Sequence, residues 1–482
     1  MIKFSEGKKD HKQSHFNIHE AIIVFQKIIM QHADKTTLII CEFISHLKYE
    51  NISYPVIERA RICLLDYLGA SFVGIQSQEA ALVREYVRMI GGNSQSTAFG
   101  MVEKTSMPLA AQVNGVTCHA YELDDAHRYA TGLHPGATII PAVLALGEHL
   151  SSSWHDILVA IIAGYEMAGR VGRAINPSHR YRGFHSTGTV ASLGAAVACS
   201  RLLGLGAEKT AWAAGIAGSS AGGIFAFLAE GSMNKLLHAG NAALNGVNAA
   251  ILAQKGFTGP TSVLEGKEGF CRAFSDEYDL QKITTELGGR YEIEDTYFKR
   301  HASCGQAFGA IDAILELRQD IKIEPSEIKR ITVNTFRAAA VLDQKQPDTI
   351  RRAKFSIPFV TALALLKGRV GHFDFNTALL KDSDITTLAN KVEVLEDEGI
   401  NSRFPEKRTA VVTLELIGGK IVSRKVDIPR GMPENPLSTE ELKAKFTELS
   451  SSVIGTERSK WIGKCVLSEE PEENIYSLMN SG

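Results

Sequence analysis

The chain has 482 residues, 44% of them hydrophobic and 22% charged, with 52 Lys+Arg against 54 Asp+Glu; this predicts a soluble globular protein of at least two domains. The near-neutral balance, without a long basic stripe, excludes a phosphate backbone as partner. Seven scattered cysteines without a Cys-x-x-Cys pair exclude a disulfide framework and a thiolate zinc site, and predict a reducing, cytoplasmic location.

Residues 1–35 read as a polar, partly helical extension. Its apolar run "AIIVFQKIIM" is ten residues long and interrupted by Gln26 and Lys27, too short to span a bilayer. From Thr36 the apolar residues recur at three- and four-residue spacing, predicting helices over Thr37–Leu47 and Ser53–Gly74, the second with Pro55 in its first turn. The same period predicts helices over Trp154–Ile175, Thr189–Leu205, Lys209–Phe227 and Gly240–Phe257. These runs are rich in Gly and Ala. A glycine inside a helix costs about 1 kcal/mol relative to alanine, so their number implies close packing in an all-helical domain over residues 36–294.

The pattern changes near residue 295. "IKRITVNTF" alternates as a strand does, and "TAVVTLELIGGKIVSRKVDIP" reads as two strands around Gly418-Gly419, with "FVTALALLKG" helical between them. Residues 295–430 are therefore expected to form a smaller α+β lid. Ser438 with Glu441 three residues on is a capping-box pattern, and residues 431–482 are expected to return to the helical domain. The fold class is mainly α.

No Gly-x-Gly-x-x-Gly stands between a strand and a helix, and no Gly-x-x-x-x-Gly-Lys-Ser/Thr occurs, so the usual nucleotide-phosphate loops are missing. The densest chemistry is "ELDDAHRYATGLHPG", Glu122 to Gly136. Glu122 and Asp125 share one side if this turn is helical. Asp124 and His127 read as the solvated end of a helix. Further polar residues punctuate apolar, small-residue runs: His185 in "RYRGFHSTG", Lys235 and His238 in "EGSMNKLLHAGNAA", and Lys299, Arg300 and Cys304 in "YFKRHASCG". Such residues reach water or line a pocket. A pocket lined by several cations suits a polycarboxylate, and His134, fixed by the Pro135-Gly136 turn, is suited to move protons at neutral pH. A metal held by the Asp124-Asp125 cluster has no recognised ligand spacing to support it.

Four ordered stretches, "HAYELDDAHRYATGLHPGATIIPAVLALGE", "FHSTGTVASLGAAVACSRLLGL", "NKLLHAGNAALNGVNAAILAQKGFTGP" and "KRHASCGQAFGAIDAI", resemble the MmgE/PrpD family, which contains 2-methylcitrate dehydratases, cis-aconitate decarboxylases and an iminodisuccinate epimerase. The resemblance implies a helical domain with an α+β lid, usually in a homodimer, acting on a small di- or tricarboxylate without metal or organic cofactor. It carries the family's functional residues onto Glu122, Asp125, His134, His185, Lys235, Lys299 and Cys304; together with the pocket reading, acid-base chemistry is expected from Glu122, Asp125, His134 and His185, and substrate binding from Lys235, Lys299, His238, Cys304 and Arg300. A threonine common in the family is Ala126 here, and a histidine common after the lid cysteine is Phe308. A 2-methylcitrate-type dehydratase is the first expectation, with a cis-aconitate-type decarboxylase or an iminodisuccinate-type epimerase as alternatives. Should Ala126 and Phe308 remove needed groups, the chain would bind carboxylates without turning them over.

Overall fold

In a computed structural model of the chain, residues 35–321, 324–471 and 474–479 are described. The polar extension, Lys35 apart, lies outside them. The helical part is built from α1 (Thr36–Ser45), α2 (Tyr54–Gly74), α3 (Gln78–Ile90), α4 (Met107–His119), α5 (Gly136–Leu150), α6 (Trp154–Ile175), α7 (Val190–Leu202), α8 (Ala207–Ser219) and α9 (Asn234–Gln254). Pro55 occupies the first turn of α2, where a missing N–H costs nothing. Ser153 caps α6 by accepting from the Asp156 amide at 3.1 Å.

The small residues act as their number implied. Helix α9 packs on α4 and α7, and α6 on α7. At the first of these crossings a Cβ on Gly240 would fall 2.6 Å from the Gln112 carbonyl oxygen, and one on Gly115 would fall 3.0 Å from the Gly240 Cα. Only glycine admits that approach, and the contact it permits offsets the propensity lost.

Two segments differ from the sequence expectation. The helix predicted over Lys209–Phe227 stops at Ser219. Gly223 takes φ +148°, and Ile224 bridges to Phe184, so the rest becomes a loop that delivers Phe225 to the site. The stretch after His119 is turn and strand rather than helix: β1 (Ala126–His127) pairs antiparallel with β2 (Thr296–Tyr297), Ala126 opposite Tyr297. Glu122 and Asp125 consequently lose their shared side.

The α+β part holds β3 (Ile328–Thr335), β4 (Val392–Glu396), β5 (Ala410–Leu416) and β6 (Ile421–Val426), in spatial order β4-β3-β5-β6, with only β3 and β4 parallel. Ile331 opposes Leu414 and Val333 opposes Val412. These four side chains are buried with Phe308, Ile311 and Ile314 of α10 (Phe308–Asp320) and Val360 and Leu363 of α11 (Ile357–Lys367), forming this part's own core. After it come α12 (Thr439–Ile454) and α13 (Thr456–Leu467). Ser438 and Glu441 form the capping box, at 3.2 and 2.8 Å. Helix α12 lies along α2, with Leu442, Phe446 and Leu449 in the helical core. Among the described residues, no helix is long and apolar enough to cross a membrane.

Candidate active site

The β1–β2 pairing sets the Glu122–Gly136 turn against the first residues after β2, and a small cavity opens between them. Glu122, His134, His185, Lys235 and Cys304 line it, with Phe225, Tyr297 and Phe355 among its apolar walls. Lys354, near the end of the short helix Ile350–Lys354, ties the two parts together by donating to the Tyr121 carbonyl at 2.6 Å.

Glu122 sits at φ +59°, a left-handed conformation that a non-glycine residue holds only at a cost. The turn aims its carboxylate at two ammonium groups. Lys235, from the first turn of α9, bonds to Oε1, and Lys299, two residues past β2, donates to Oε2 at 2.9 Å. All three are buried. Burial pulls Lys235 well below the ordinary ammonium range, and the charge of Lys299 pulls it further, making Lys235 a ready proton donor.

His134 is held from two sides. Its amide donates to Thr187 Oγ1 at 3.1 Å, and its Nδ1–H donates to the Asp125 carbonyl at 2.8 Å. That tautomer leaves Nε2 for the cavity. Behind it, Asp124 lies 3.2 Å from His134 Nδ1 and accepts from His119 Nδ1 at 2.7 Å. Burial alone would raise Asp124, but His119, His134 and Lys299 hold it well below the usual carboxylate range. Asp124 is therefore not a solvated helix end, and neither is His127, whose Nε2 meets the buried Glu292 carboxylate at 3.1 Å.

His185 and His238 face each other at 2.9 Å between their Nδ1 atoms. One must present its lone pair to the other's N–H. Burial and mutual repulsion push His185 well below its ordinary value, and burial with Lys235 brings His238 down to about 4, so both rings are neutral at pH 7. His185 lines the cavity, and His238 stands behind it.

Asp125 is turned away from the cavity. One oxygen accepts from the Gly136 amide at the start of α5 (2.9 Å) and the other from the Tyr165 hydroxyl (2.6 Å). Burial pushes it up to about 7, with the Asp66 charge adding. A folded pKa above the unfolded value of 3.8 stabilises the fold below that value, and the contribution is lost as pH rises through 7. Asp125→Asn keeps an oxygen for Gly136. We expect near-wild-type turnover and a melting temperature that gains on wild type as pH climbs across this window, checked by thermal melts at stepped pH. Arg300 is nearly half exposed and lies 3.9 Å from Asp312 rather than at the cavity. Ala126 lines the cavity, whereas Phe308 is buried in the core of the α+β part against His301.

Sequence reasoning missed Arg180, His119 and Phe225. Arg180 opens the quoted run "RYRGFHSTG", but nothing local separates it from Arg182. The arrangement offers two proton carriers, His134 Nε2 and the Lys235 ammonium, on one cavity.

His119, Asp124 and His134 come close enough to hold an ion. Both imidazoles, however, direct an Nδ1–H at oxygen there, and the Lys299 ammonium lies 3.9 Å from Asp124. A cation would have to displace those protons beside a positive charge.

Two family profiles match the chain, the MmgE/PrpD N-terminal domain over residues 39–283 and the MmgE/PrpD C-terminal domain over residues 301–469. A cis-aconitate decarboxylase-like protein of Aspergillus oryzae is 29% identical, covering 91% of this chain and 95% of the relative. The cis-aconitate decarboxylase of Homo sapiens is 30% identical, over 90% and 91%. A mitochondrial 2-methylcitrate dehydratase of Yarrowia lipolytica is 26% identical, over 80% and 77%. The chain belongs to the MmgE/PrpD family.

Proposed function

We propose that the chain is a lyase acting on a small tricarboxylate, decarboxylating a substrate of the cis-aconitate type. The observation that carries this reading is the placement of His134 Nε2 and Lys235 on one buried, cationic cavity. Its support against dehydration is the higher identity and coverage of the decarboxylases named above. The sequence expectation ranked the two the other way, because a base and an acid flanking a pocket suit either reaction.

In the proposed step the bond from the allylic methylene to its carboxylate breaks, and carbon dioxide leaves. The freed electron pair forms a double bond to the central carbon. His134 enters this step as the imidazolium, its Nδ1–H on the Asp125 carbonyl with Asp124 beside it, and the electrons of the old double bond take its Nε2 proton at the far carbon, giving itaconate and the neutral ring. Solvent then restores the proton to His134. In the alternative dehydration, a base takes a proton beside a carboxylate while an acid protonates the departing hydroxyl. A homodimer belongs to the same reading.

The test incubates the protein with cis-aconitate, citrate, 2-methylcitrate and iminodisuccinate and follows products by NMR. Itaconate from cis-aconitate is the expected result. Turnover of 2-methylcitrate alone would reverse the two readings, and turnover of none would leave a carboxylate-binding protein. Activity is expected to survive exhaustive EDTA, since the steps above need only proton carriers. Loss on chelation with recovery on adding a divalent ion would assign the His119–Asp124–His134 cluster to a metal.

A further inference from the structure

Lys235 and Lys299 were the cations expected to grip substrate carboxylates, but both ammonium groups are engaged by Glu122. With Asp124 beside Lys299, two carboxylates offset two ammonium groups. The charge left over on the cavity is Arg180. It lines the wall, and no described carboxylate counts among the neighbours that perturb it, which are Cys304 and Tyr181. Neighbouring arginines differ: Arg170 pairs with Glu166, Arg173 with Glu292 and Asp295, and Arg182 lies 3.5 Å from Asp276.

The Arg180 guanidinium is also held in place. Its carbon lies 3.6 Å from the centroid of the Phe225 ring, which also meets His185 at 4.9 Å and Phe227 at 5.0 Å. The short helix Ser178–Tyr181 that carries it is pinned by the buried His179, bonded to the Phe274 carbonyl and to Thr189 Oγ1, both at 2.9 Å. A half-buried, pre-oriented guanidinium presents a rigid fork suited to a carboxylate, with little ordering left to lose on binding.

We propose that Arg180 anchors one substrate carboxylate across the cavity from Glu122 and sets the preference for three carboxylates over two. The proposal rests on the tricarboxylate reading. The cavity's own ion pairs cancel, which leaves Arg180 as the cation on its wall, among the described residues, with no carboxylate partner and so able to take one from the substrate.

Calorimetry on wild type, Arg180→Met and Arg180→Lys, with tricarballylate, glutarate and methylsuccinate as non-reacting probes, tests it. The two dicarboxylates each lack a different carboxylate of the first probe. Arg180→Met is expected to weaken tricarballylate by about 30-fold or more, the scale for truncating one partner of a buried charge pair, with an unchanged melting temperature. One dicarboxylate, the one without the carboxylate that Arg180 holds, should lose nothing. Arg180→Lys should recover part of the loss, since a point charge lacks the fork. Equal loss for all three probes, or none for tricarballylate, would overturn the proposal. A wild-type protein that binds none of the three would instead bring down the tricarboxylate reading, and the role of Arg180 with it.

Discussion

Glu122→Gln is expected to destabilise the protein by about 3–5 kcal/mol and to lower turnover at least about 100-fold. Lys235 and Lys299 are both buried, and Glu122 is the carboxylate each of them bonds. A neutral amide leaves two buried ammonium groups with only Asp124, 3.9 Å from Lys299, to offset them, which costs far more than losing an exposed pair at about 0–1 kcal/mol. The double variant Glu122→Gln with Lys235→Met removes one stranded charge. It should recover much of the stability and none of the activity, and the two losses should not add. Chemical denaturation of the set checks this. Wild-type stability in Glu122→Gln would mean that the ammonium groups are not charged in the folded protein.

His134→Ala should lower turnover at least about 100-fold, the scale for a positioned proton carrier, with little loss of stability. The stability argument is local. The His134 amide keeps its bond to Thr187 whatever the side chain, and the ring gives up one bond to the Asp125 carbonyl. Steady-state kinetics beside a thermal melt separate the two effects. Near-wild-type turnover would return His134 to a purely structural role at the start of α5.

Much of the fold was legible because short-range patterns decide it. Helix α6 occupies the predicted Trp154–Ile175 run, where a serine cap precedes an apolar stripe of helical period. Strand β3 buries its alternate residues as its sequence suggests. Strand β4 escaped notice, since only Val392 of its five residues is buried and the alternation is too short to register. The helix predicted to Phe227 stops at Ser219, just before Gly222-Gly223 turn the chain away, and in the sequence those glycines resemble the packing glycines of neighbouring helices.

The site was legible in its residue types and less so in their geometry. Glu122, His134, His185, Lys235 and Cys304 do share a cavity. Asp124 and His127 read as solvated because charged neighbours flank them in sequence. What buries His127 is Glu292, 165 residues away, a distance over which periodicity says nothing. Lys299 lies 177 residues from the Glu122 that accepts from it. Arg180 and Arg182 share one local context, and distant segments tell them apart, the loop that brings Phe225 under the first and Asp276 beside the second.

The central claim, proton transfer to carbon after loss of carbon dioxide, is tested most directly by running the reaction on cis-aconitate in D2O and examining the product by NMR and mass spectrometry. His134 exchanges its proton with solvent between turnovers, so the account predicts itaconate with one deuterium, on the methylene that was the vinylic carbon, and none on the new terminal alkene. Itaconate without deuterium, or no itaconate from cis-aconitate at all, would contradict it.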